Sequence, residues 1–158
     1  MMRYGQFISI LLAIVLMGGC ASLHVQDTPF PNQANTIDDM YKARVYVIRN
    51  PWLINIASHI IPVEVYDGSK KIGIIDRRGY LCWEREPGAT TISTKPGPRL
   101  EAGNITLTLQ QGTVYYILEQ TVPTGLLMSS SLRTTLTQVD NMTGQDELAK
   151  AKPPAIKD

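Results

Sequence analysis

A chain of 158 residues with 15 Lys+Arg against 14 Asp+Glu has no broad charged footprint, which argues against a nucleic-acid binder. Its 44% hydrophobic content is enough for a real core, and its length allows about one domain. Two histidines and two cysteines, none at ligand spacing, argue against a zinc site and against a disulfide framework.

Residues 1–19 have the three parts of an export signal. Met1 to Gln6 is a short polar start with Arg3 as its charge, and Phe7 to Met17 is eleven residues, apolar except for Ser9. As a helix that run rises only ~16 Å, about half a hydrocarbon core, so it is expected to be a cleaved leader and not a span. Gly18-Gly19 supplies small residues for a peptidase, and Cys20 comes directly after them. The stretch Leu16-Met17-Gly18-Gly19-Cys20 resembles the lipobox of bacterial lipoproteins, with Met17 where Leu is usual. That resemblance implies a diacylglyceryl thioether on Cys20, removal of residues 1–19, and two or three acyl chains, which anchor firmly where one chain is marginal. Ala21 in place of Asp resembles cargo sorted to the outer membrane, facing the periplasm. An incidental cysteine beside an ordinary cleavage site is the alternative. With Cys20 committed to lipid, Cys82 has no disulfide partner, and its apolar setting in Tyr80-Leu81-Cys82-Trp83 reads as a small buried hydrophobe, with a reactive or intermolecularly paired thiol as the alternative.

After the leader, residues 20–41 read as the lipidated cysteine and a flexible linker, with Pro29, Pro31, Asn32, Gln33 and Asn35 and no sustained apolar period. Such a coil averages ~25 Å end to end and reaches ~70 Å when extended. His24 is expected in solvent, and Thr36 to Tyr41 as a short helical turn. Residues 42–151 form the predicted domain. Its strands are Arg44–Arg49, Ile61–Tyr66, Lys71–Asp76, Tyr80–Arg85, Thr90–Lys95, Asn104–Gln110, Val114–Thr121 and Leu132–Val139. Alternation puts Val63 and Val65 on one face, with Glu64 and Tyr66 opposite. It likewise turns Ile105, Leu107 and Leu109 inward. Turns fall at Asp67-Gly68-Ser69, Glu86-Pro87-Gly88 and Gln111-Gly112. Thr143 is expected to cap a short C-terminal helix, with Gln145, Asp146 and Glu147 in its first turn. Pro153-Pro154 stops it, and residues 152–158 are a frayed tail. The expectation is an all-β, antiparallel sandwich of about seven or eight strands with a short C-terminal helix.

The pieces Arg44-Val45-Tyr46-Val47-Ile48-Arg49, Val63-Glu64-Val65-Tyr66-Asp67-Gly68, Ile72-Gly73, Gly79-Tyr80, Glu86-Pro87-Gly88 and Gly112-Thr113-Val114-Tyr115-Tyr116 occur in that order. Together they resemble an uncharacterised family of small bacterial lipoproteins with a β-rich domain of unknown function. The pattern is also similar to PEGA-type and carboxypeptidase-regulatory-like modules. The resemblance implies a fold and a lipoprotein context, and no reaction.

Catalytic constellations are not visible. There is no Gly-Xaa-Ser-Xaa-Gly elbow and no phosphate-cradling loop, and no third group orients a Cys82–His59 pair. Glu84 and Glu86 share a strand face, where carboxylates commonly just solvate a surface. No catalytic residue, metal or other cofactor is therefore assigned. Two connections are unusually apolar: Pro51 to Ile60, with Trp52, Leu53 and Ile54, and Val122 to Met128, with Leu126, Leu127 and Met128. Either they fold back as core plugs or they meet a partner or the lipid surface. The expected function is a lipid-anchored, non-catalytic envelope module that binds an envelope protein. Cell-wall glycan stacking on Trp52, Trp83 or Tyr115 is the alternative, and an envelope enzyme or inhibitor a further one.

Overall fold

The computed structural model describes residues 24–33, 41–49, 61–97, 100–124 and 132–156. Its strands in chain order are β1 (Val25–Gln26), β2 (Ala43–Arg49), β3 (Val63–Asp67), β4 (Lys70–Ile75), β5 (Tyr80–Arg85), β6 (Gly88–Pro96), β7 (Leu100–Glu101), β8 (Asn104–Leu109), β9 (Val114–Pro123), β10 (Leu132–Val139) and β11 (Ala155–Ile156). Helix α1 (Asn141–Ala149) precedes the last of them. Two sheets form, ordered β11-β1-β4-β3-β6-β8 and β5-β2-β9-β10-β7. The all-β sandwich with a short C-terminal helix is therefore the architecture observed.

Alternation built most of it. Val63, Val65, Ile72, Ile75, Ile92, Leu107 and Leu109 from the first sheet meet Ala43, Val45, Val47, Leu81, Trp83, Tyr115, Ile117 and Leu136 from the second. The expected turns hold their glycines in the left-handed region, with φ of 59° at Gly68 and 67° at Gly112.

The second sheet differs from a simple sandwich layer. All seven residues of β2 are buried, so this strand is covered on both faces. Its outward side chains Tyr46 and Ile48 join Tyr80, Cys82, Tyr116 and Leu118 in a second apolar cluster. Phe30, from the N-terminal stretch, and Leu148 and Ala151, in or just past the helix, lie over it.

Pairing is mixed and not purely antiparallel: β2 runs parallel to β9, β10 to β7, and β1 to β11. The antiparallel expectation came from tight turns, which impose antiparallel neighbours. None of these three pairs is joined by such a turn. β1, β7 and β11 are two residues each, too short to show a period. Residues 152–158 are corrected in part: β11 pairs in register with β1, Val25 facing Ala155 and Gln26 facing Ile156. The helix cap is also corrected. Asp140, not Thr143, is the N-cap; it accepts the Thr143 amide at 2.9 Å, and the Thr143 hydroxyl donates back at 2.9 Å. Asp146 and Glu147 consequently fall beyond the first turn.

Helix α1 lies directly on β9. A Cβ built at Gly144 would sit 2.1 Å from Cγ of Tyr116. A Gly→Ala change inside a helix ordinarily gains up to ~1 kcal/mol. Overpacking here costs about 1–3 kcal/mol and wins, because the neighbour is a ring held on both sides. Gly144→Ala should therefore lower unfolding stability in urea. A neutral or stabilising result would show that the helix does not sit this close.

Candidate functional site

His24, expected in solvent, is only 5% exposed. Its ring nitrogens face two backbone carbonyls: Nδ1 is 3.1 Å from Ile74 O, and Nε2 is 3.2 Å from Lys152 O. The ring lies against Gly79, where a Cβ would come within 2.5 Å of it. Burial is the main influence on the imidazole and lowers its pKa from 6.5, with the carbonyls opposing. A neutral ring has one N–H and can donate to only one of the two carbonyls.

Gln26 is fully buried and acts in place of a neighbouring strand. Its carboxamide oxygen accepts from Cys82 N at 3.0 Å, and its nitrogen donates to Cys82 O at 2.6 Å. Cys82 belongs to β5, the edge of the second sheet, so the side chain closes an edge that would otherwise be open. Phe30 packs on Tyr80 with ring centroids 5.9 Å apart, and Tyr46 donates its hydroxyl proton to Gln33 Oε1 at 2.7 Å. Residues 24–33, the described part of the flexible linker expected over 20–41 apart from Tyr41, are thus bonded to both sheets. Only Ala21, Ser22 and Leu23 stand between Cys20 and this fold.

An ion pair is buried where β2 and β9 approach their C-terminal ends. Arg49 and Glu119 are register partners, 6% and 0% exposed, with Nε 3.1 Å from Oε2. That contact is a charge pair too far off line to be a hydrogen bond. Arg49 also donates to Ile61 O at 2.8 Å and to Ile75 O at 3.3 Å, while Thr121 donates to Glu119 Oε1 at 3.2 Å. Burial pushes the Glu119 carboxyl above its ordinary 4.5, and the Arg49 charge and the Thr121 hydroxyl oppose it. Neither residue is among the candidates drawn from sequence. The available signal was a charged side chain in each of two otherwise apolar runs.

The same end of the sandwich bears several chain connections. Arg49 N donates to Gly79 O at 2.9 Å, Arg49 reaches Ile61, and Pro123 pairs with Leu132. The β4–β5 turn and the start of β1 lie here too. We term this end the proximal pole. The flanks of both apolar connections, 50–60 and 125–131, leave from it. Cys20, Trp52, Leu53, Ile54, His59, Leu126, Leu127 and Met128 lie outside the described residues.

At the opposite, distal pole an open cleft of roughly 520 Å³ is lined by Asp67, Ser69, Arg85, Thr90, Thr91 and Thr106. The Asp67 carboxylate is fully engaged there: it accepts from Trp83 Nε1 at 2.9 Å, from Arg85 and from the Thr90 hydroxyl. Trp83 and Tyr115 are 3% and 9% exposed, so neither offers the wet ring that sugar stacking requires. Glu84 is bound by Arg44 at 2.8 Å.

Cys82 is buried, and Gln33 Nε2 donates to its sulfur at 3.6 Å. Burial pushes the thiol from 9.0 up to about 12. Among the described residues, no group of three or more His, Cys, Asp or Glu could hold a metal ion. No described helix is long and apolar enough to cross a membrane. No protein-family model matches the chain, and no curated protein matches it.

The buried pair and the buried thiol each make a stability prediction. Arg49→Met strands a buried carboxylate and should cost ~3–5 kcal/mol in urea unfolding, whereas Arg49→Met with Glu119→Leu recovers most of that loss. If the double variant is no better than the single, the two charges do not act as a pair. The folded thiol also ionises later than the unfolded one. Stability is therefore complete below about pH 9 and is lost as pH rises towards about 12. Cys82→Ala should flatten that alkaline loss, although Tyr46, Tyr80 and Tyr116, also raised by burial, retain part of it. A thiol reagent should label unfolded protein at Cys82 and leave the folded domain untouched. Prompt labelling of folded protein would contradict the burial.

Proposed function

We propose that the protein is a lipid-anchored, non-catalytic interaction or accessory module of the bacterial cell envelope, tethered through Cys20 to the outer membrane and facing the periplasm. The observation that carries this reading is positional. His24, four positions past the cysteine of a lipobox-like stretch, is already packed into the fold, so on this reading folded structure follows the proposed leader closely. The resemblance to the uncharacterised lipoprotein family belongs to this same proposal.

The side chains favour binding over catalysis. The Cys82 thiol is buried, Asp67 is bound by three donors, and Glu119 lies inside the core. A partner in the same membrane fits best, because both apolar connections leave from the pole where the N-terminal chain joins. The residues proposed to meet it are Trp52, Leu53, Ile54, Leu126, Leu127 and Met128.

Intact mass of protein purified from membranes should show a species beginning at Cys20 and carrying two or three acyl chains. A retained leader, or a lipid-free species beginning at residue 20, would overturn the anchoring. In-cell crosslinking should give a membrane-protein adduct that Trp52→Ala with Leu127→Ser reduces by roughly tenfold, the loss of a small hot spot. An unchanged adduct would remove the contact assignment and leave the anchor standing.

A further inference from the structure

We propose that the proximal pole docks on an anionic phospholipid surface through Arg77, Arg78 and Lys152, so that the sandwich stands on the membrane with its Gly68–Ser69 turn pointing away. This docking rests on lipid attachment at Cys20.

Chain length limits which face can reach the bilayer. Four Cα steps separate Cys20 from His24, and a fully extended chain covers them in about 14 Å. The six-residue strand β4 runs from the Gly68–Ser69 turn to the proximal pole and spans ~20 Å. A leash this short keeps the proximal pole within about 14 Å of the bilayer and lets the distal turn reach it only if the sandwich lies on its side, whereas the 21-residue coil read from sequence would have let any face approach. His24 is held at its position by Ile74, Gly79 and Lys152, so the attachment point is fixed on the fold.

Charge selects the same pole. Arg77, Arg78 and Lys152 are exposed, and the backbones of Lys152 and Arg78 are linked in turn to the attachment point. Lys152 N donates to Arg78 O at 2.6 Å, and Lys152 O faces the His24 ring. Arg78 takes a φ of 50°, a left-handed conformation uncommon outside glycine, and its neighbour Gly79 bridges to Lys152. Asp76 is the carboxylate of this turn, and it accepts the Arg77 amide. Several cations elsewhere are paired: Lys71 with Glu64, Arg85 with Asp67, Arg133 with Glu101, and Lys150 with Glu147. Among the described residues, Arg78 and Lys152 have no such carboxylate. A cluster of cations beside a lipid anchor is the two-signal arrangement that holds a protein against an anionic surface.

The test uses full-length lipidated protein, its lipid confirmed by intact mass, in vesicles of phosphatidylethanolamine and phosphatidylglycerol. With Cys20 acylated and Cys82 buried, Pro153→Cys or Ser69→Cys provides one reactive thiol for a fluorophore. Quenching by headgroup-labelled lipid should be strong at position 153 and weak at position 69. Reversing Arg78→Glu and Lys152→Glu should cut the docked population by at least about tenfold, as should replacing the anionic lipid with phosphatidylcholine. Equal quenching at the two positions, or indifference to both changes, overturns the docking while the anchor stands. A lipid-free mass overturns the anchoring, and the docking with it.

Discussion

The second sheet has two apolar faces, and the rest of the molecule is arranged to cover the outer one. Val45 and Val47 of β2 face the first sheet, while Tyr46 and Ile48 point the other way into a separate cluster. Burying a large apolar side chain contributes ~1.5–3 kcal/mol, so leaving this face wet would forfeit much of a small domain's stability. The helix covers one part of it and residues 28–33 another. Tyr46 and Tyr116 stack with centroids 5.2 Å apart, and Tyr80 and Phe30 extend the ring contacts. The described N-terminal stretch, residues 24–33, is therefore part of the fold.

Once residues 24–33 are bound, the C-terminus is drawn in as well. β1 offers an open edge to β11, and Lys152 returns alongside Gly79. Gln26 serves the opposite need by closing the β5 edge with its side chain alone. The two chain ends thus seal the sides of a sandwich whose sheets are not joined there by a turn.

Most of the strand plan was legible, because half-buried strands alternate. The runs at 63–67, 104–109 and 132–139 carry that period, and glycines marked the turns at Gly68, Gly88 and Gly112. The N-terminal stretch was not legible for a physical reason. His24 bonds to residues 50 and 128 positions away, and Gln26 to one 56 away, so no local pattern records them. One clue was present: Val45-Tyr46-Val47-Ile48 is apolar on both faces, which signals a strand needing cover on each side. The covering segment itself carries no matching signal, because the Pro- and Gln-containing stretch at 26–33 is not apolar. Of the candidate site, the buried character of Cys82 was legible, and the Arg49–Glu119 pair was not.

That pair raises the question of why a charge is retained in a core. An apolar replacement for Glu119 and Arg49 would spare the desolvation of two ions. It would also remove the donor that reaches Ile75 O in the first sheet and Ile61 O just before β3 while sitting on the second sheet. Buried carbonyls need partners, and a guanidinium on a long stem can donate to two carbonyls while its charge faces a carboxylate. Glu119 then balances the charge that this reach brings inside. The ion pair is best understood as a clasp between the sheets at the proximal pole, where connecting segments interrupt the ladders. This is also the end where residues 24–26 pair, so the clasp fixes the geometry of the surface that the proposed anchor would hold closest to a membrane.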